Sequence, residues 1–116
     1  MPETLTLYHN PRCGKSRSAL ALLQERGADV TVVEYLKTPL TRAELAALVK
    51  KLGIAPEALV RKGEDVCKEH YAGRPMTDDE WLDALATHPI LLERPVAVRG
   101  GRAVIGRPPE NVLGLL

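Results

Sequence analysis

Residues 5–35 read LTLYHNPRCGKSRSALALLQERGADVTVVEY, and this stretch decides the fold. Leu5 and Leu7 alternate with Thr4, Thr6 and Tyr8, the period-two pattern of a short half-buried strand. His9-Asn10-Pro11 ends it, because a residue before proline is pushed out of the helical region. From Gly14 to Arg26 the apolar residues Ala19, Leu20 and Leu23 recur at helical spacing, and Gly27 stands where a C-terminal cap belongs. Val30 to Tyr35 is rich in β-branched residues and reads as a second strand. Strand, helix and strand within roughly 32 residues make one βαβ unit. Its two strands should be parallel, with a right-handed crossover.

Outward from this unit, Thr41-Arg-Ala-Glu44 has the form of a capping box, and Leu45, Leu48, Val49 and Leu52 follow on one helical face until Gly53. Pro56 opens a short helix carrying Leu59 and Val60. Residues 61–74 are polar and poorly periodic, a loop with at most one helical piece. A second capping box, Thr77-Asp-Asp-Glu80, starts a helix that presents Trp81, Leu82 and Leu85 and stops near His88-Pro89. Val96–Val98 and Ala103–Ile105 flank Gly100-Gly101, a two-glycine hairpin turn. After Pro108-Pro109, Val112, Leu113, Leu115 and Leu116 predict an amphipathic closing helix. The order is βαβ unit, helical insertion, β-hairpin, closing helix. That is an α/β domain with a mixed sheet, the outline of a thioredoxin-like fold, and it predicts a single domain over 1–116.

Composition narrows the function. Sixteen Lys and Arg face fifteen Asp and Glu, so no general basic field is available for nucleic acid. The core must be mostly aliphatic, since the 116 residues include no Phe, one Trp and three Tyr. Two cysteines, Cys13 and Cys67, are too few for a disulfide scaffold and lack paired metal-ligand spacing. MPETLTLY has neither a basic n-region nor an export-length apolar stretch, and no run reaches the length of a membrane span. The expectation is a cytoplasmic protein in a reducing compartment, bound to neither membrane nor nucleic acid and holding no metal.

Cys13 lies just after a strand, at the start of a helix. Free backbone N–H groups and the positive end of the helix dipole stabilise a thiolate there. The same groups suit an oxyanion. Lys15 and Arg17 add positive charge, and Ser16 brings a hydroxyl within one turn. Because Ser16 stands where a dithiol oxidoreductase places its second cysteine, Cys13 has no adjacent resolving thiol. A small buried hydrophobe is the plainer reading of any free cysteine, but Arg12, Gly14 and Lys15 are poor apolar company. Gly14-Lys15-Ser16 has the look of a nucleotide P-loop, yet the earlier glycine that loop requires is His9.

Tyr8-His9-Asn10-Pro11-Arg12-Cys13-Gly14-Lys15-Ser16-Arg17 resembles the active-site segment of the glutaredoxin-coupled arsenate reductase family. The resemblance continues in order through Ala58–Lys62, His88–Pro95 and Gly106–Glu110. It implies that Cys13 attacks arsenate and that Arg61, Arg94 and Arg107 bind the oxyanion and stabilise the intermediate. Guanidinium groups, permanently charged and forked, suit a tetrahedral oxyanion. The resemblance further implies that His9 and Ser16 support the thiolate, and it makes Pro95 the candidate for the cis-proline facing the cysteine, the isomer itself staying open in the sequence. It implies as well that no cofactor is bound and that glutathione and glutaredoxin act as external reductants. Leu116 follows soon after the Arg107 motif, as in the short form without the C-terminal tail. Cys67 stands where the family leads one to expect a tyrosine or similar residue, and its pairing with Cys13 stays open.

Two other readings compete. A general glutaredoxin-like thiol oxidoreductase explains Cys13 but leaves three motif arginines idle. A binding module similar to Spx-type regulators, which contact RNA polymerase, commonly carries a C-x-x-C switch, whereas this chain has Ser16.

Overall fold

The computed structural model describes residues 4–116, so the first three residues of the leader-peptide reading lie outside it. The chain divides into two compact units, one running to Thr38 and resuming over Arg94–Leu116, the other being Pro39–Glu93.

The first unit holds strands β1 (Leu5–His9), β2 (Val30–Glu34), β3 (Val96–Arg99) and β4 (Arg102–Ile105), in the order β2-β1-β3-β4. β1 runs parallel to β2, as the βαβ reading requires, with Leu7 opposite Val32. It is antiparallel to β3, with Leu7 opposite Ala97, so β1 is central and is paired on both edges. Helix α1 (Gly14–Glu25) and the segment Pro109–Leu115 pack together. Leu5, Leu7, Ala19, Leu23, Ala97, Val112 and Leu115 form one buried cluster. Each such leucine contributes about 1.5–3 kcal/mol by leaving water. The β3–β4 turn is the expected Gly100-Gly101, with Gly100 at φ +60°, a first turn position open to glycine.

The closing helix expected after Pro108-Pro109 is present as the 3₁₀ helix Pro109–Leu115. Asn111 N–H donates to the Pro108 carbonyl and Leu116 N–H to that of Leu113, the tighter i→i+3 pattern. A seven-residue segment opened by Pro109 and interrupted by Gly114 cannot gain enough i→i+4 bonds to prefer the α form.

The second unit is helical: α2 (Arg42–Leu52), α3 (Asp65–His70) and α4 (Asp78–Thr87), with 3₁₀ turns at Pro56–Leu59 and Pro89–Leu91. Thr41 and Thr77 both form complete capping boxes with Glu44 and Glu80, and Gly53 closes α2 at φ +69°. α2 packs on α4, burying Leu45, Leu48, Trp81, Leu82 and Leu85. The single helical piece expected within residues 61–74 is α3. Among the described residues no helix is long and apolar enough to cross a membrane.

Candidate active site

The site grows out of the loop between β1 and α1. Cys13 is the N-cap of α1, in extended conformation at φ −93°, ψ 122°. Its sulfur closes no cap hydrogen bond of ordinary geometry and remains partly exposed, so it is available to a reactant. Burial pushes the thiol pKa up. The backbone N–H groups of Ser16 and Lys15, with the hydrogen bond and charge of Arg94, outweigh that and hold it below its ordinary value of 9.0. Lys15, singled out in the sequence for its ammonium, contributes here through its main chain. Arg17 turns its guanidinium back on the loop, donating to the Pro11 carbonyl at 3.0 Å.

Arg94 and Arg107 reach this sulfur from the far end of the chain. Arg94 is 9% exposed and bonds the thiol. Arg107 places Nη2 4.0 Å from Cys13 Sγ while its Nε donates to the Arg94 carbonyl at 3.0 Å. The Arg94–Pro95 bond, whose isomer the sequence left open, is cis, and Arg107–Pro108 is a second cis bond that the sequence reading did not anticipate. The chemistry available is a polarised nucleophilic sulfur under two cationic forks, suited to attack on a tetrahedral oxyanion. Among the described residues no group of three His, Cys, Asp or Glu side chains is placed to hold a metal.

His9 and Ser16 sit at the base of the loop. His9 is buried at the end of β1, with Nδ1 2.6 Å from Ser16 Oγ. Burial depresses the His9 pKa; Glu34 opposes this and Arg17 adds to it. The ring is therefore neutral at pH 7. Ser16 Oγ accepts from Asn10 N–H at 3.0 Å and also pairs with His9 Nδ1, the direction of that second bond following the imidazole tautomer. Ser16 thus acts on the sulfur through its main chain and ties the loop through its side chain.

Arg61 belongs to the second unit. Its N–H donates to the Leu91 carbonyl at 2.7 Å, and its Nε lies 3.6 Å from Glu64 Oε1. Cys67 is a buried free thiol of α3, on the wall of a cavity of about 310 Å³ shared with Tyr71 and Trp81.

The ArsC family profile matches residues 8–115. The chain belongs to the ArsC family. An arsenate reductase of Neisseria meningitidis serogroup A is 47% identical over 118 residues, covering 100% of both chains. An arsenate reductase of Escherichia coli K12 is 41% identical over 115 residues, covering 98% of this chain and 82% of its own. The solved structure described as an arsenate reductase from Vibrio cholerae superposes with a TM-score of 0.95 at 42% identity, covering 100% of both. The resemblance read from the ordered motifs is borne out, and the mixed sheet with its helices is the thioredoxin-like fold of ArsC proteins.

Two residues that shape this ArsC site carried no role in the sequence reading. Gly106 lies so close to Pro95 that a Cβ there would meet Pro95 Cγ at 2.7 Å and Val112 Cγ1 at 3.1 Å. Asn111 donates from Nδ2 to the carbonyls of Ile105 and Arg107, at 3.2 and 3.1 Å, and so steadies the backbone that presents Arg107. A glycine between strand and arginine was the signal for the first. Nothing local marks the second.

Proposed function

We propose that this chain reduces arsenate to arsenite, with Cys13 as its single nucleophile and with glutathione and glutaredoxin supplying the electrons. The reading rests on one observation, a partly exposed Cys13 thiol of lowered pKa at the N-terminus of α1 with Arg94 and Arg107 beside it. Relatives named arsenate reductase over the full chain length point to the same substrate.

Arg94 and Arg107 bind the oxyanion and balance charge on its oxygens as sulfur approaches arsenic. The resemblance gives Arg61 the same role, and that assignment is part of the proposal. The thiolate forms an S–As bond, and one arsenic–oxygen bond breaks, its oxygen leaving as water after protonation. Glutathione and glutaredoxin then contribute one thiol each. Their two sulfurs are oxidised to a mixed disulfide, and As(V) takes the two electrons and becomes As(III). A second arsenic–oxygen bond breaks, its oxygen leaving as water on the two thiol protons, and hydrolysis of the S–As bond releases arsenite and the Cys13 thiol.

The test is arsenate-dependent NADPH oxidation with glutathione, glutaredoxin and glutathione reductase. Turnover should vanish in Cys13→Ser and fall sharply in Arg94→Ala. No turnover from a folded wild type, with Cys13 still titrating as a low-pKa thiol, would leave a general thiol oxidoreductase as the function.

A further inference from the structure

Only residues 10–13 separate the last residue of β1 from the first of α1, and their main-chain donors can be accounted for completely. Pro11 has none. Arg12 N–H donates to Asn10 Oδ1 at 3.0 Å, and Cys13 N–H donates to the Asn10 carbonyl at 3.0 Å. Asn10 N–H itself donates to Ser16 Oγ at 3.0 Å, in the first turn of α1. Every loop donor therefore begins or ends on one residue. Asn10 is 5% exposed, so these bonds are not exchanged readily with water.

We propose that Asn10 is the positioning residue of the site, fixing where the Cys13 sulfur stands relative to the free N–H groups at the start of α1. The proposal rests on Cys13 being the nucleophile. An acceptor two bonds beyond Cβ is what closes an Asx turn onto the N–H two residues on. Alanine has no such atom. Aspartate has it, but brings a negative charge beside a thiolate, which asparagine avoids. Once Arg12 and Cys13 N–H are satisfied within the loop, the next donors along the chain that act on the sulfur are those of Lys15 and Ser16. Loosening the loop lets Cys13 drift from them, and the thiolate loses its stabilisation while the fold keeps its core.

The pH profile of iodoacetamide alkylation at Cys13, followed by intact mass with Cys13→Ser as the blank, tests this. Asn10→Ala should move the midpoint upward and slow alkylation below the wild-type midpoint by about five-fold, with the high-pH limiting rate retained. Asn10→Ser, whose hydroxyl makes the weaker form of the same turn, should recover part of the shift without adding charge. An unmoved midpoint in folded Asn10→Ala overturns the proposal. A loss of limiting rate with the midpoint unmoved overturns it too, since that reports access to the sulfur and not its ionisation. Should Asn10→Ala fail to fold, Asn10→Ser decides by the same two readings. Alkylation needs no arsenate, so a wild type that alkylates normally but reduces no arsenate refutes the reductase reading alone.

Discussion

Arg107 Nε donates to the main-chain carbonyl of Arg94 at 3.0 Å, and the same guanidinium holds Nη2 4.0 Å from Cys13 Sγ. One edge of the fork is fixed to the backbone of the other site arginine, and this aims the opposite edge at the sulfur. A lysine offers one compact ammonium and cannot do both. Arg107→Lys should therefore lower kcat/KM for arsenate on the order of 100-fold, the scale of losing a preorganised donor. Arg94→Ala differs in kind. Its hydrogen bond acts directly on the thiol, so its loss should also raise the midpoint of Cys13 alkylation, which Arg107→Lys leaves nearly unmoved. Equal shifts from both substitutions would contradict this division of roles.

Gly106 permits the close approach that sets this pair. Its N–H donates to the Pro95 carbonyl at 2.8 Å, and a Cβ would stand 2.7 Å from the Pro95 ring. Pro95 is fully buried and cannot swing aside as a long surface side chain would. Gly106→Ala should cost about 1–3 kcal/mol of stability by overpacking, read from urea unfolding. Because Arg107 follows directly, its reductase activity should fall at temperatures where the variant is still fully folded. A variant as stable as the wild type would show that the neighbouring backbone yields freely.

Thr77 tests what the sequence made plain. Thr77→Ala should remove about 1 kcal/mol by leaving the first turn of α4 uncapped, with Cys13 alkylation unchanged. Both capping boxes, the parallel β1–β2 pair and the Gly100-Gly101 turn were legible because each is written in neighbouring residues. The placement of β3 against β1 was not, since that pairing joins Tyr8 to Val96 across most of the chain. The site shows the same division. Cys13 at a strand–helix junction is a local signal, whereas Arg107 lies 94 residues away and depends on Arg94, Gly106 and Asn111 for its aim. The closing helix was legible as a helix, but its 3₁₀ form was not, since leucine spacing alone does not separate it from a short α-helix, whereas Pro109 and Gly114 do.

The thiol also leaves a mark on stability. Cys13 releases its proton at lower pH in the folded chain than its ordinary value of 9.0, which the unfolded chain should keep. Between those two values the unfolded state binds more protons, so unfolding becomes harder as pH rises. The contribution is fully present above 9.0 and is lost as pH falls through the folded value. His9 tilts stability the same way at lower pH, because its folded pKa lies below 6.5 and unfolding in acid exposes a base that takes up a proton. Subtracting Cys13→Ser, which keeps His9, isolates the thiol. Urea unfolding of both proteins from about pH 5 to about pH 9 should show the wild type gaining on the variant as pH rises. A constant difference across that range would mean that the folded and unfolded thiols ionise alike, and the N–H groups of Lys15 and Ser16 would then be holding no thiolate.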